Sequence, residues 1–246
     1  MIVALLVMQP DRACAQDDLQ AWSQYHAMVT RPAPFSFGLY GELRLKDDAG
    51  RLSGFFVGPT VGYQFNDYLS FGGAFKYILL QTSTLEQWQR LELEIDPQIK
   101  LFDDRLYLQL RNRGEFIRIT DEELPDEWRI RARHRLTAAF SLERAGPLLK
   151  LYASNELFWG QPFSSAVGVP ILVTENRLVP FGMQLRLSDL AKINLYYMLR
   201  SRSDDSPWRR EHIIGTTLLI GAGCYALLPL CTSRLQRSQA RSGAPA

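Results

Sequence analysis

The sequence predicts an all-β chain closed into a transmembrane, antiparallel, up-and-down β-barrel of about 10–12 strands. Three observations predict it: long segments in which apolar and polar residues alternate with period two, connections that alternate between short and long, and an export-type leader. The clearest alternation runs from Trp128 to Leu142. Trp128, Ile130, Ala132, Leu136, Ala138, Phe140 and Leu142 fall on one phase, and Arg129, Arg131, Arg133, Arg135, Thr137 and Ser141 on the other. Successive strand side chains point to opposite faces, so this segment has one greasy and one strongly hydrated surface. On a helix the arginines would be spread around the axis. At about fifteen residues the segment is long against a soluble strand of about five or six, and sufficient for a tilted membrane-crossing strand of roughly nine to eleven.

The rest of the chain repeats the pattern. After a first apolar segment, Leu19 to Thr30, the residues Phe35, Phe37, Leu39, Gly41, Leu43 and Leu45 alternate with Ser36, Gly38, Tyr40, Glu42, Arg44 and Lys46. Phe55, Val57, Pro59, Val61, Tyr63 and Phe65 then oppose Phe56, Gly58, Thr60, Gly62 and Gln64. Leu69, Phe71, Phe75, Tyr77 and Leu79 oppose Ser70, Gly72, Ala74 and Lys76. Leu91, Leu93, Ile95, Ile99 and Leu101 oppose Arg90, Glu92, Glu94, Asp96 and Lys100, and Leu106, Leu108 and Leu110 oppose Tyr107, Gln109, Arg111, Arg113 and Glu115. Three weaker segments lie near Leu148 to Phe158, Glu175 to Leu187 and Lys192 to Arg200, and a last one begins at Ile213. That makes eleven segments, whereas a bacterial single-chain barrel with both termini in the periplasm has an even strand number. The sequence therefore leaves two options: Leu19 to Thr30 is a partial or plugging segment, or a twelfth strand lies near residues 160–174 or in the tail.

Asn66-Asp67, Asp103-Asp104, Arg144 to Pro147 and Asp189 to Ala191 are short turns of hairpin-closing residue types. The alternate connections, Thr82 to Glu86, Thr120 to Glu127, Gly160 to Thr174 and Ser201 to Arg210, are longer and more polar. Short turns on one rim and long loops on the other are the arrangement of outer-membrane barrels. Phe35, Phe37, Phe65, Tyr68, Phe71, Trp88, Phe102, Trp128, Phe158, Trp159 and Trp208 gather near segment ends, where aromatic girdles would sit.

Residues 1–15 read as a signal peptide, with the apolar core Ile2 to Met8 and the small-residue pattern Ala13-Cys14-Ala15 before Gln16, although no Lys or Arg precedes that core. Export to the bacterial outer membrane is the expected localisation, with residues 16–226 as the barrel and 227–246 as a basic, disordered tail. The uncharged run Ile213 to Cys231 approaches transmembrane-helix length, but Gly215, Gly221, Gly223, Pro229 and β-branched Ile213, Ile214, Thr216 and Thr217 favour a closing strand. Composition points nowhere: 46% hydrophobic, 22% charged and a net charge of +2 suit an ordinary soluble protein, and also a wall whose two phases average out. A soluble exported β-barrel binding protein is the alternative it leaves open.

The order of these features resembles the uncharacterised outer-membrane barrel family known as domain of unknown function 2490. The resemblance rests on Asp18-Leu-Gln-Ala-Trp22, Gly41-Glu-Leu-Arg44, Gly62-Tyr-Gln-Phe-Asn-Asp-Tyr-Leu-Ser-Phe-Gly72, the alternating arginines from Arg129, and His212-Ile-Ile-Gly215, and it covers roughly residues 16–222. It implies a barrel and carries over no catalytic residue.

Candidate chemistry therefore lies on the inner phase. Adjacent segments place Glu92, Glu94 and Asp96 beside Arg111, Arg113 and Glu115, then Arg129, Arg131, Arg133 and Arg135, then Lys150 and Glu156. One reading is an ionic lining of a narrow porin-like channel that selects small solutes or ions. The other is a cross-strand charge ladder that fills the interior and fixes register. The four-arginine file exceeds its local acids, so a conducting lumen is expected to prefer anions. A lipid-modifying enzyme needs a nucleophile beside a base. The chain has three histidines, of which His134 falls on the outward phase, away from Ser141. No catalytic, cofactor or metal residues are assigned, nothing matches a zinc-ligand spacing, and no glycine loop points to nucleotides or nucleic acid. The expected partners are outer-membrane lipid and the barrel-assembly machinery.

Overall fold

Strands that are apolar on one face and charged on the other satisfy both faces only if the sheet rolls up and closes, which also removes its unpaired edges. The computed structural model describes residues 18–30, 34–81, 85–102, 105–120, 126–142, 146–160, 172–203 and 208–221. They form eleven strands: β1 (Asp18–Thr30), β2 (Phe35–Lys46), β3 (Arg51–Asn66), β4 (Leu69–Gln81), β5 (Leu85–Leu101), β6 (Leu106–Thr120), β7 (Glu127–Ser141), β8 (Leu148–Gly160), β9 (Leu172–Arg186), β10 (Ala191–Arg202) and β11 (Arg209–Gly221). All eleven belong to one closed barrel in chain order, and β1 meets β11 to complete the ring.

Sequential neighbours pair antiparallel, whereas β1 and β11 run parallel, in register from Asp18↔Glu211 to Met28↔Gly221. This corrects the expectation of an even number. A ring of alternating strands closes without a parallel pair only when the count is even, and one parallel seam lets eleven close. Leu19 to Thr30 is accordingly a full wall strand, bonded to β2 on one side and β11 on the other, and not a plug. Asp18 and Gly221 consequently sit on opposite rims. The leader at 1–15, the tail at 227–246 and most of the stretch suggested for a twelfth strand, 161–171, lie outside the described residues.

Loop lengths segregate less cleanly than the sequence suggests, because strands extend into several of the expected loops: β5 begins at Leu85 and β9 at Leu172. The turn Asp47 to Gly50 is short yet sits on the same rim as the long 161–171 connection. Asp47, Asp48 and Ala49 adopt left-handed φ there, and the turn is pinned to β1 by Ala49 N–H donating to Leu19 O at 3.0 Å.

The two phases separate as the alternation requires. Phe37, Leu39, Phe55, Val57, Phe75, Leu91, Leu93, Ile95, Leu136 and Phe140 are exposed on the outer surface, while Glu42, Lys76, Arg90, Glu92, Glu115, Arg133 and Glu156 are buried inside. Two of the aromatics assigned to girdles do not belong there. Phe158 is fully buried in the interior, and Trp88 packs against the internal cluster of Tyr40, Phe56 and Ile78.

Of the three weak segments, the one that becomes β9 changes phase in mid-strand. Tyr152 pairs with Gly182 and Ser154 with Val179, so β9 carries an extra residue at Pro180–Phe181, and both of these are exposed. Glu175, Arg177 and Val179 face inward before this bulge and Gly182 and Gln184 after it, which moves the inner file from one parity to the other. Pro180, with no N–H to give the ladder, suits that position.

Close packing of the interior depends on glycines. The Tyr152 ring lies over Gly182, where a Cβ would stand 2.3 Å from it, and Tyr196 lies over Gly215, at 2.0 Å. At Gly58 a Cβ would meet the backbone oxygen of Phe75 at 1.8 Å, whereas at Gly41 the nearest atom is 3.8 Å away. Gly58→Ala is therefore expected to lower stability by about 1–3 kcal/mol or to block closure, and Gly41→Ala to stay within about 0.5 kcal/mol. Denaturant midpoints of the two folded variants check this.

Candidate functional site: the barrel interior

Every strand contributes inward side chains, and the charged ones pair along a strand or with the neighbouring strand. Glu115 on β6 is fully buried and accepts from Arg131 at 2.6 Å and Arg133 at 2.6 Å, with Arg90 at 3.9 Å. Arg133 also reaches Glu156 at 2.9 Å, which takes a further bond from Arg135 at 2.9 Å. Glu92 holds Lys76 at 2.9 Å, Arg90 at 2.8 Å and Arg113 at 3.0 Å. Arg111 lies 3.2 Å from Glu94 and 3.4 Å from Asp96, and Asp96 also accepts from Gln109 at 2.7 Å. Arg129 pairs with Glu127 at 2.6 Å. All twelve residues of the sequence ladder thus line the interior, and eleven of them are in ion pairs.

The four-arginine file leaves no bare cationic wall, because each of Arg129, Arg131, Arg133 and Arg135 contacts a carboxylate. The exception within the ladder is Lys150, which feels the charges of Lys192 and Arg111. Neither Lys150 nor Lys192 forms an ion pair among the described residues, and Lys192 is only 8% exposed.

Several members of the site escape the sequence reading. Glu175 binds Arg177 and, at 2.9 Å, Arg200, which continues to Glu211 at 2.9 Å. Glu42 pairs with Arg44 and accepts from the Tyr40 hydroxyl. Trp22, 1% exposed, donates its indole N–H to Gln20 at 3.1 Å and stands under Arg44 at 3.9 Å, Arg177 at 4.9 Å and Arg200 at 5.5 Å. Arg44 and Lys76 were visible as inner-phase residues; Arg44 pairs with Glu42 on its own strand and Lys76 with Glu92 on the neighbouring β5. Glu175 and Arg177 were hidden by the bulge in β9.

These contacts form a closed circuit. Arg44 on β2 covers Trp22 on β1, which meets Arg177 on β9; Arg177 lies 4.3 Å from the Phe158 ring on β8, which Arg133 on β7 covers from 4.5 Å. Arg133 binds Glu115 on β6, Glu115 faces Arg90 on β5, Arg90 lies 5.8 Å from Phe56 on β3, and Phe56 is covered by Arg44 at 4.2 Å. Lys76 on β4 joins through Glu92 and lies 3.8 Å over Tyr40. Inside the ring, Trp22, Val179, Met198 and Ile213 pack with Tyr152 and Tyr196. The middle of the lumen is therefore filled by cation–π stacks, ion pairs and apolar side chains.

The histidines are dispersed. His26 packs edge-on to Tyr40 at 4.8 Å, His134 bonds Asn112 on the outer surface at 2.8 Å, and His212 bonds the Tyr197 hydroxyl at 2.5 Å. Among the described residues no group of three or more His, Cys, Asp or Glu side chains gathers as a metal site would.

Removing one partner of a buried ion pair strands the other in a poorly solvated place, at about 3–5 kcal/mol. Glu115→Gln should therefore lower stability by about that amount, because it strips Arg131 and Arg133 of a shared carboxylate. Lys150→Met should be neutral or stabilising, since it removes a cation with no carboxylate partner. Unfolding midpoints in denaturant, compared with wild type, separate the two outcomes.

Comparison with curated proteins and with solved structures gives no match. A family model described as protein of unknown function (DUF2490) matches residues 19–211, from the second residue of β1 into the start of β11. The match spans most of the wall and ten complete or nearly complete strands, and on it the chain belongs to the DUF2490 family.

Proposed function

We propose that this chain is a transmembrane barrel of the bacterial outer membrane whose lumen is closed by its own side chains, a non-catalytic membrane protein and not a general diffusion porin. The observation that carries the proposal is the inversion of the barrel. Its outer surface exposes bulky apolar residues on every side, among them Leu39, Phe55, Phe75, Leu93, Ile95, Ile130, Leu136, Phe181 and Ile214, while its charges are internal. Soluble proteins rarely expose contiguous apolar patches beyond a few hundred Å². A lipid surface is the solvent that such an exterior fits, and closed strands leave no backbone group unpaired there. Aromatics at the rims fit the same reading: Phe35, Phe65, Tyr68 and Phe102 near the short turns, Trp128, Trp159 and Trp208 near the long connections. The export-type leader read from residues 1–15 supports passage to that membrane.

The circuit from Arg44 through Trp22, Phe158 and Glu115 supports the closed lumen. Where a water path persists, Lys150 and Lys192 are inward cations that form no ion pair among the described residues, so residual current favours anions. Purified protein refolded in detergent is expected to migrate differently before and after boiling, and to give no large conductance steps in a planar bilayer. Large cation-selective steps, or a chain soluble without detergent, would overturn the reading.

The faces supply an independent check. Leu136 is 55% exposed on the outer phase. Leu136→Arg is expected to cost about 2–4 kcal/mol if it lies near the bilayer midplane. Thr137→Ala, on the inner phase one residue on, should cost much less. Equal losses in refolding yield and urea midpoint for the two would show that the outer phase does not face lipid.

A further inference from the structure

The outer surface is not uniform. Across β2 to β5 it is built mainly of bulky apolar residues, including Phe37, Leu39, Leu43, Phe55, Val57, Phe71, Phe75, Leu91, Leu93 and Ile95, with Gly41 and Gly73 among them and no amide or imidazole at mid-height. Across β6 to β9 the character changes in the middle of the wall. Asn112 of β6 is the cross-strand partner of His134, the central residue of β7, and the two side chains bond at 2.8 Å. His134 is in turn opposite Leu157 of β8, and Leu157 is opposite Asn176 of β9. Asn155, one outward step along β8, donates its amide to Asn176 Oδ1 at 2.9 Å. Four strands in succession thus carry a polar band on the outer phase near mid-height.

Small outward residues flank the same patch. Gly114 is paired with Ala132, and a Cβ at Gly114 would meet nothing within 4 Å. Ala138 is paired with Ala153. The other outward amide and imidazole side chains of the described strands, Gln81, Gln87, Gln89 and His212, lie within about five residues of strand ends at the long-loop rim, where water is at hand. The central band has no such access.

We infer that the outer face of β6 to β9 is a contact surface for a second copy of this chain within the membrane. The inference rests on the transmembrane reading above. In hydrocarbon there is no hydrophobic gain from bringing two apolar surfaces together, so membrane interfaces rely on close packing at small residues and on hydrogen bonds between polar side chains. Gly114, Ala132, Ala138 and Ala153 allow close approach, and the band supplies the bonds. The internal pairs use only part of its capacity: each carboxamide has two donors and an acceptor, and the imidazole has two nitrogens. The band is neutral and holds donors and acceptors together, so it is complementary to itself. That is the requirement of a two-fold interface, in which one patch meets its own copy. A charged partner would be met better by an ion, and no charged residue stands in the band.

The test uses the mature chain refolded in detergent and then in lipid bilayers. Wild type is expected to sediment as a dimer, with its heat-modifiable mobility retained. His134→Leu, Asn155→Leu and Asn176→Leu together replace the band with the apolar residues typical of this wall. They should leave folding and heat modifiability intact while weakening dimerisation by about tenfold or more. In a background in which Cys224 and Cys231 are replaced by serine, Ala132→Cys, Ala138→Cys or Ala153→Cys should cross-link between copies, and Leu43→Cys or Val57→Cys, on β2 and β3 at the far side of the ring, should not. A heat-modifiable barrel that remains monomeric, dimerisation unmoved by the triple change, or equal cross-linking on both faces would overturn the interface and leave the membrane reading standing. Absence of heat modifiability in wild type would overturn both.

Discussion

The structure depends on one constraint: most of the charges on the inner phase must find partners inside the ring, as the pairs around Glu92, Glu115, Glu156 and Glu175 do. Closing a two-faced sheet encloses many Lys and Arg side chains, for which carboxylates and aromatic faces must lie within reach, and Glu115, Glu156, Glu175 and Glu92 each serve more than one cation. Such pairs add little net stability over apolar packing, because desolvation offsets attraction. Their effect is on specificity. A one-residue slip in any strand would turn its inner file outward, and would leave a stranded charge on both faces. The ion pairs and the alternation therefore enforce the same register.

Aromatic rings extend that network where carboxylates run short. Phe158 is enclosed by Arg131, Arg133 and Arg177, and Trp22 by Arg44, Arg177 and Arg200. A guanidinium stacks on a ring face while its edge still donates hydrogen bonds, so Arg177 can bond Glu175 and lie between two rings at once. Glycine makes the room: Gly182 and Gly215 lie under Tyr152 and Tyr196, the rings that bound the apolar part of the fill. Long side chains thus crowd the interior, and the proposed closed lumen rests on the same contacts that hold the wall together.

The parallel seam between β1 and β11 has a different character. Parallel pairing is slightly weaker per residue than antiparallel pairing, yet the register is unbroken over Asp18 to Met28. Side-chain bonds between Thr216 and Ser23 and between Thr217 and Gln24 cross it, and Trp22 stands opposite Gly215 beneath it. The residue that roofs the seam from within is thus also a junction of the cation–π circuit, so the seam and the filling of the lumen share Trp22.

The sequence by itself determined the fold class, the two faces and the strand positions, because period two is a local property that any strand displays regardless of its neighbours. The inward ladder from Glu92 to Glu156 was legible for the same reason. Glu175 and Arg177 were not, since the extra residue at Pro180–Phe181 reverses the phase in mid-strand and only the pairing with β8 and β10 reveals it. Trp88 and Phe158 read as rim aromatics from their nearness to segment ends, but which way a ring points is fixed by phase. The tertiary structure alone decided the strand count and the parallel closure, because an odd ring is a property of all eleven strands together. It also decided that the arginine file is neutralised: Arg133 takes its carboxylates from the strands on either side, and proximity between strands is a product of closure that no single segment encodes.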